Sequence, residues 1–165
     1  MLTIFYAIVV VGSLIMLVWL ARGPFYVPTK RNYVPHIVKF LAIKQGEKAV
    51  DLGSGNGRLL IALAQAGAEA HGFEHNPLLV WRSRYNIKKA GLHGKAFVHM
   101  NNFWDVDVSS FNCVVIYGIP YIMPKLEEKL RRELKSGARV VAHSFPFPSW
   151  KPVESHKRVY LYHQM

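Results

Sequence analysis

An acidic residue followed by three glycines at alternate positions forms the stretch Asp51-Leu52-Gly53-Ser54-Gly55-Asn56-Gly57. The apolar residues just before it predict a buried strand, and the apolar run over residues 59–66 just after it predicts a helix. Glycines at such a turn let the backbone bend sharply and approach a ligand where a Cβ atom would collide. The N–H groups at the start of the helix have no partners within it. This arrangement suits the binding of a nucleotide-like ligand, although an ordinary tight turn would use glycines as well.

The spacing of the glycines separates the possible ligands. In the dinucleotide pattern G-x-G-x-x-G the third glycine comes one residue later than Gly57, and Arg58 stands where that pattern needs Gly or Ala. The sequence also has no phosphate-binding G-x-x-x-x-G-K-[ST] motif. The stretch resembles motif I of the class I S-adenosylmethionine-dependent methyltransferases. A second predicted strand ends at Glu74, whose carboxylate could accept hydrogen bonds from both hydroxyls of a ribose or could simply be a solvated acid.

The elements that must position these residues alternate between strands and helices. Apolar runs predict further strands at residues 70–74, 96–99, 112–117 and 139–143, and helices at 34–41, 77–91 and 124–137. Residues 151–155 and 158–163 could pair as a terminal hairpin. We therefore predict an α/β fold with a Rossmann-like, doubly wound, mostly parallel sheet and an antiparallel C-terminal edge. The residues at or just past the carboxyl ends of the strands, where such sheets bind ligands, are Asp51, Glu74, Asn102, Tyr117 and Phe145.

The N-terminal twenty residues after Met1 contain no charge and are rich in Ile, Val and Leu. This length and composition predict a transmembrane helix over residues 1–22, with a buried core helix as the alternative. The basic residues that follow predict an N-terminus outside and a cytoplasmic catalytic domain. Two prolines predict an extended linker over residues 23–33, within which Tyr26 and Thr29 could reach a ligand or could only shape the chain. The expected methyltransferase domain spans residues 34–165.

The sequence has 21 Lys and Arg against 10 Asp and Glu, a formal net charge of +11. Such a charge favours an anionic membrane surface or an acidic protein as a partner. Nucleic acid is a weaker interpretation, because no RNA-binding signature accompanies the charge. The single cysteine, Cys113, excludes an intramolecular disulfide and fits a reducing compartment. The histidines show no metal-ligand spacing, so no metal site is predicted.

Several motifs together resemble one family more closely than the superfamily. They are the apolar N-terminus, Tyr26-Val27-Pro28-Thr29, the glycine stretch through Arg58, Glu74-His75-Asn76-Pro77, Gly118-Ile119-Pro120, Met123-Pro124 and Gly137-Ala138-Arg139-Val140-Val141 leading to Phe145-Pro146-Phe147-Pro148-Ser149-Trp150. The chain resembles the membrane-anchored protein-lysine methyltransferases of mitochondria and their bacterial and archaeal relatives. Two residues depart from that family: Asn56 stands where an acid is common, and Asn102 stands where many members carry the acid near adenine.

The resemblance implies S-adenosyl-L-methionine as cofactor and a lysine of a protein, in some relatives a membrane-embedded one, as substrate. The net charge of +11 would also suit an acidic protein substrate. The cofactor-binding residues it implies are Asp51, Gly53, Ser54, Gly55, Gly57, Glu74 and Asn102. We expect Tyr117, Tyr121 and Phe145, with Phe147 and Trp150, to line a substrate channel, although aromatic residues at strand ends are also ordinary core. His143 could be a general base or a hydrogen-bonded core histidine.

Methyl transfer needs placement more than a strong catalyst, because holding the two reacting atoms in line makes the step nearly unimolecular. For lysine, whose pKa is about 10.4, freeing the amine at pH 7 costs about 4–5 kcal/mol. An apolar channel reduces that cost by disfavouring the ammonium form. The predicted function is a protein-lysine N-methyltransferase acting at the cytoplasmic face of a membrane. The alternatives are a methyltransferase for a lipid or small membrane-associated molecule, and a non-catalytic scaffold with this fold.

Overall fold

The computed structural model describes residues 2–21 and 28–165, and in the first of these ranges it describes the side chains of residues 2–14. Within these residues the helices are α1 (Leu2–Ala21), α2 (Val34–Leu41), α3 (Arg58–Gln65), α4 (Pro77–Lys89) and α5 (Met123–Glu133). The strands are β1 (Lys48–Leu52), β2 (Glu69–Glu74), β3 (Ala96–Met100), β4 (Cys113–Tyr117), β5 (Arg139–His143), β6 (Glu154–His156) and β7 (Val159–His163). Two short 3₁₀ turns lie at Phe103–Asp105 and Pro120–Ile122.

The strands form one sheet in the order β3-β2-β1-β4-β5-β7-β6. Neighbouring strands from β3 to β5 run parallel, while β7 runs antiparallel to both β5 and β6. The predicted mostly parallel sheet with an antiparallel C-terminal edge is confirmed. The strand order reverses at β1, which lies between β2 and β4, so a ligand site is expected at the carboxyl ends of these strands.

Each face of the sheet is covered by a different set of apolar side chains. One face packs against α2, α3 and α4 through residues such as Ile37, Leu60 and Leu63. The other face packs against α5, whose Leu126 and Leu130 are buried, together with Leu134 just after the helix, as the apolar spacing predicts. The central strands are apolar on both faces because helices cover both sides of the sheet.

Two of the aromatic residues that follow β5 lie in the hydrophobic core. Phe147 and Trp150 are buried against Tyr162 of β7, with ring centroids 4.9 and 5.2 Å from it. The backbone N–H of Phe147 donates to the Tyr162 hydroxyl over 3.0 Å. These two residues are therefore part of the core beside β7, and the prediction that they line a substrate channel is wrong.

Helix α1 forms over the predicted residues, and the side chains described for residues 2–14 are all exposed. Across the two described ranges, however, no helix combines the length and the apolarity that crossing a membrane requires. The prediction of a single-pass membrane protein, with its N-terminus outside and a cytoplasmic catalytic domain, is therefore wrong. Tyr26 and the start of the predicted linker, residues 23–27, lie outside the described residues.

Cys113 lies in β4 near the amino-terminal end of the strand, away from the edge where a ligand site is expected. The Arg139 guanidinium donates to its Sγ over 3.1 Å and also pairs with Glu47. The same guanidinium donates to the carbonyl of Ala42, the C-cap residue just after α2. Burial raises the pKa of the Cys113 thiol, which keeps it protonated, so this cluster joins elements of the fold rather than supplying a nucleophile.

Candidate functional site

The turn between β1 and α3, residues 53–57, is hereafter called the glycine loop. Gly53, Gly55 and Gly57 have φ values of +86°, +54° and +80°, in the left-handed region that residues with a side chain rarely adopt. The backbone N–H groups of Gly53 and Ser54 donate to the Phe73 carbonyl over 2.9 and 3.1 Å. These two hydrogen bonds hold the start of the glycine loop against the end of β2.

Glu74 ends β2 and is only 6% exposed. One carboxylate oxygen accepts from the Gly55 N–H over 3.0 Å, and the other accepts from the Asn76 N–H over 2.8 Å. The His75 Nδ1 lies 3.5 Å from this carboxylate. The alternative of a solvated strand-end acid is therefore excluded. An ionised carboxylate has about four acceptor positions, so Glu74 can hold the glycine loop and still accept hydrogen bonds from a ligand.

Asp51 lies one residue before the end of β1 and is 2% exposed. Burial raises the pKa of its carboxyl to about 7, and the nearby negative charge of Glu74 acts in the same direction. Two carboxyl groups are thus brought together behind the glycine loop. At neutral pH the Asp51 carboxyl is divided between its protonated and ionised forms.

Gly57 is required by its neighbour as well as by its backbone angle. A Cβ atom at this position would lie 2.3 Å from the Ser83 Oγ of α4. Beside it, the Asn86 side-chain amide donates to the Asn56 carbonyl over 2.9 Å. Helix α4 therefore holds the outer side of the glycine loop. Sequence reasoning missed Ser83 and Asn86, since nothing in the spacing of α4 marks them.

Ser54 supplies a buried hydroxyl inside the glycine loop. Its Oγ has no hydrogen-bond partner among the residues that the structure describes. A Cβ on Gly72 of β2 would lie 2.6 Å from this oxygen, so the glycine there makes room for it. The unpaired hydroxyl, the remaining acceptor positions of Glu74 and the closely approachable glycine backbone fit a polar nucleoside-bearing ligand.

Asn102 follows β3 and begins the 3₁₀ turn at Phe103–Asp105. Its side-chain oxygen accepts from the Trp104 N–H over 3.2 Å, which fixes the amide as a cap. The N–H of the preceding Asn101 donates to the Glu74 carbonyl over 3.2 Å. The end of β3 therefore lies beside the end of β2, and Asn102 is adjacent to the glycine loop side of the site.

A second group of residues lies at the same edge of the sheet and is hereafter called the aromatic end. It comprises Tyr33, Tyr117, His143 and Phe145. The His143 ring centroid lies 4.5 Å from that of Tyr33 and 4.8 Å from that of Tyr117. The Arg158 guanidinium lies 5.5 Å from the ring of Phe145. Tyr33, just before α2, was missed by sequence reasoning because it is more than a hundred residues from its partner.

His143 is 3% exposed, and its Nδ1 finds no hydrogen-bond partner in the described part of the chain. Burial lowers its pKa to about 4, with a further contribution from the positive charge of Arg158. The interpretation of His143 as a hydrogen-bonded core histidine is therefore only half right, since the ring is buried but one nitrogen is unpaired. The following Ser144 has φ +78°, an uncommon angle for a residue with a side chain.

The remaining predicted residues lie further out. Tyr121, in the turn at Pro120–Ile122, is 74% exposed and lies at the surface beyond the aromatic end. The Thr29 carbonyl accepts from the Arg58 guanidinium, which joins the segment before α2 to the start of α3. The structure thus brings Asp51, the glycine loop, Glu74 and Asn102 together at one side, and Tyr117, His143 and Phe145 at the other.

Known proteins share both the sequence and the architecture. A family model described as the ANTKMT methyltransferase domain matches residues 51–154. A lysine N-methyltransferase of Rattus norvegicus, named for a subunit of ATP synthase, is 42% identical over 154 residues, which cover 87% of this chain and 71% of that protein. A protein-lysine N-methyltransferase of Saccharolobus islandicus is 34% identical over 131 residues, covering 78% of this chain and 81% of that protein. The Mus musculus protein that bears the same name as the rat relative is longer, and the match spans 62% of its length.

Among solved structures, an RNA methyltransferase from Salinibacter ruber was crystallised in complex with S-adenosyl-L-homocysteine. It superposes with a TM-score of 0.80 at 30% identity, covering 84% of this chain and 94% of that one. The predicted cofactor is confirmed by this likeness together with the family match, and the predicted family resemblance is confirmed by the relatives. The strand order, the glycine loop and these matches show that the chain belongs to the family of the ANTKMT methyltransferase domain and is an S-adenosylmethionine-dependent methyltransferase.

Proposed function

We propose that the protein methylates the Nε atom of a lysine in a protein substrate, with residues 34–165 as its methyltransferase domain. The relatives named as lysine N-methyltransferases support the type of acceptor. The observation that carries the site assignment is the buried Glu74 carboxylate, which accepts from the Gly55 N–H at the point where the strand order reverses.

On the cofactor side, the residues we propose are Asp51, Gly53, Ser54, Gly55, Gly57, Glu74 and Asn102. When bound, S-adenosylmethionine supplies an electrophilic methyl group on a sulfonium. Glu74 would accept from the ribose hydroxyls with the acceptor positions that Gly55 and Asn76 leave free. The unpaired Ser54 Oγ is a second polar group available to the ligand. The glycine backbone would allow the close approach that a side chain would prevent.

On the substrate side, we propose that Tyr117 and Phe145 form the wall of a lysine channel and that Tyr121 lies at its mouth. Aromatic faces tolerate a cationic ammonium, while their low polarity favours the neutral amine that must attack. The lysine would lose its proton to bulk solvent at pH 7, at a cost of about 4–5 kcal/mol, rather than to His143. With a pKa of about 4 for the histidine, that transfer would be uphill by about 9 kcal/mol from a lysine of pKa about 10.4. His143 would instead act as an uncharged positioning residue that does not repel the ammonium.

The net charge of +11 supports a protein substrate with an acidic or membrane-embedded surface, and it supports an anionic membrane surface as a further partner. One relative is named for a subunit of ATP synthase and another for the adenine nucleotide translocase. We propose the same class of acceptor for this chain, a lysine of a protein.

The test is a labelling reaction with the full chain, methyl-labelled cofactor and a lysate of the source cells. The expected label is removed by protease, resists ribonuclease and organic extraction, and yields methyl-lysine after acid hydrolysis. At a cofactor concentration below saturation, the Glu74→Gln variant should give much less label, whereas Glu69→Gln, at the partly exposed start of the same strand, should keep it. Label recovered only in the lipid extract would contradict the lysine proposal in favour of a lipid methyltransferase. No label in any fraction, with the cofactor bound, would favour a non-catalytic scaffold.

RNA methylation is a second candidate function. It is favoured by the net charge of +11 and by the 30% identical RNA methyltransferase structure, of which the match covers 94%. The same reaction separates the two candidates. Label that ribonuclease removes and protease does not would support RNA as the acceptor and overturn the lysine proposal.

A further inference from the structure

A cleft of about 630 Å³ opens between α2, α3 and α4. It begins at Asn56 and Arg58, where the glycine loop enters α3, and it extends along α4 to Lys89. None of the residues proposed above for the cofactor or the lysine channel lines it. The cleft is therefore a separate feature of the helix-covered face, and methyl transfer does not account for it.

The cleft is lined by four cationic side chains, Arg31, Arg58, Arg82 and Lys89, and no carboxylate is among its lining residues. The Arg58 guanidinium is held in place by the Thr29 carbonyl. Within the described residues, the other three cations take part in no salt bridge. Like charges gathered without a counter-charge repel one another, and an anion with several acceptor oxygens would relieve that repulsion.

Helix α4 also carries an exposed apolar stripe. Leu78, Trp81 and Tyr85 are 74%, 67% and 53% exposed, and their spacing places them on one face of the helix. Arg82 and Lys89, which line the cleft, flank one side of this stripe. Arg84 and Lys88 flank the other side. An apolar stripe that contains Trp and Tyr and is bordered by Lys and Arg is typical of a helix lying in the interface of an anionic bilayer.

We propose that this face docks on an anionic phospholipid surface. A lipid phosphate would enter the cleft, and Leu78, Trp81 and Tyr85 would lie at the boundary between headgroups and acyl chains. Charge complementarity and the shared residues Arg82 and Lys89 identify this occupant, because a free phosphate would neutralise the cleft but leave the adjoining apolar stripe in water. The contact is peripheral and needs no helix across the bilayer. It deepens the membrane partner named under the proposed function by assigning the surface that binds it, and it does not depend on lysine as the methyl acceptor.

The test uses the full chain with vesicles of phosphatidylcholine alone or mixed with phosphatidylglycerol, containing brominated acyl chains that quench tryptophan. Trp81→Phe identifies the Trp81 contribution by difference, since the other tryptophans are retained. We expect that contribution to be quenched only in the anionic vesicles. Arg82→Gln/Lys89→Gln should weaken partitioning of the protein onto the anionic vesicles by about 25-fold. Each cation near an anionic surface contributes about fivefold to that partitioning. All variants keep α1, so its apolar residues contribute equally.

The matched control is Lys135→Gln/Lys151→Gln, which removes the same charge from two exposed lysines outside the cleft. A control that weakens partitioning as much as the cleft variant would overturn the proposal, because the effect would then be one of net charge. Equal quenching of Trp81 in neutral vesicles would also overturn it. Two further results would overturn it. In the first, inorganic phosphate stabilises the protein thermally, the cleft variant alone loses this stabilisation, and its vesicle binding is unchanged. In the second, the cleft variant loses RNA binding while its vesicle binding is unchanged. The first would assign a free phosphate and the second a nucleic acid.

Discussion

The glycine loop and the aromatic end lie at the same edge of one sheet, but they are held in different ways. The glycine loop is fixed through its backbone: its N–H groups donate to the Phe73 carbonyl and the Glu74 carboxylate, and its Asn56 carbonyl accepts from the Asn86 amide. The aromatic end is fixed by ring contacts between residues of different elements, and it leaves the His143 Nδ1 unpaired. One half is therefore held through its backbone and the other through its side chains, and each keeps a buried polar atom without a partner in the described residues, the Ser54 Oγ and the His143 Nδ1.

The difference also appears in the charges that each half buries. Burial raises the pKa of the Asp51 carboxyl and lowers that of His143, so both groups are shifted toward their neutral forms. We propose that the glycine loop receives the cationic sulfonium and that the aromatic end receives the neutral amine. A carboxyl that can still ionise at neutral pH and an imidazole that stays uncharged are suited to these two tasks.

The largest expected effect comes from removing the carboxylate that holds the glycine loop. Glu74→Ala should weaken S-adenosylmethionine binding by a hundredfold or more, because two charge-assisted hydrogen bonds are worth about 3–6 kcal/mol together. It should also lower the melting temperature, since the Gly55 and Asn76 N–H groups lose their acceptor. Titration calorimetry and thermal melting of the ligand-free protein measure the two effects.

Glu74→Gln is the graded variant, which keeps the shape and one acceptor oxygen and should lose roughly tenfold in affinity. Glu69→Gln, on the same strand, should change neither measurement by much. A folded Glu74→Ala protein with the wild-type dissociation constant would contradict the assignment of the ribose to Glu74. An unchanged melting temperature would show that the glycine loop is not held by this residue.

The opposed pKa shifts predict opposite pH dependences at the two ends. The Asp51 carboxyl binds its proton more tightly in the folded state, so its contribution to the free energy of unfolding falls by about 4 kcal/mol as the pH rises from about 4 to 7. His143 binds its proton less tightly when folded, so its contribution falls by about 3 kcal/mol as the pH drops from about 6.5 to 4. In the wild type the two slopes largely cancel.

Single variants should reveal each slope. Relative to wild type, Asp51→Asn should gain stability as the pH rises to 7. His143→Phe, which keeps a ring between Tyr33 and Tyr117, should gain stability as the pH falls below 6.5. Urea unfolding between pH 4.5 and 7.5 measures both. Variant curves that run parallel to the wild-type curve would mean that neither group has the shifted pKa.

The sequence predicted the glycine-loop half well because its information is local. Strand β1, the three glycines and Glu74 lie within the 27 residues from Lys48 to Glu74. Even here, the sequence left open whether Glu74 is solvated or buried, because its burial depends on N–H groups from two separate turns. The aromatic half was predicted less well. Phe147 and Trp150 resemble channel residues in sequence, and only the position of Tyr162 on β7 shows that they are core.

Gly57 tests whether the glycine loop depends on α4 as well as on its own backbone angle. Gly57→Ala should lower the free energy of unfolding by about 2–4 kcal/mol, from the positive φ together with overlap with the Ser83 Oγ. Gly53→Ala has a similar φ but open space around it, so it should cost about 1–2 kcal/mol. Adding Ser83→Ala to Gly57→Ala should recover part of the difference. Equal losses for the two glycines would show that α4 does not constrain the loop.

The smallest expected effect concerns the outer limit of the aromatic end. Tyr121 is 74% exposed, so Tyr121→Ala should change the free energy of unfolding by no more than about 0.5 kcal/mol. It should leave cofactor affinity unchanged, because none of the glycine-loop contacts involves it. If Tyr121 lies at the mouth of the lysine channel, the KM for the protein substrate should rise about fivefold while kcat stays the same, which is the result of losing uniform substrate binding.

Tyr117→Ala is the matched variant from the inner wall. Because its ring packs against His143, it should lower stability and kcat together. A Tyr121→Ala enzyme with wild-type KM would place the end of the channel at Tyr117, and one with weakened cofactor binding would show that the glycine loop and the aromatic end are coupled.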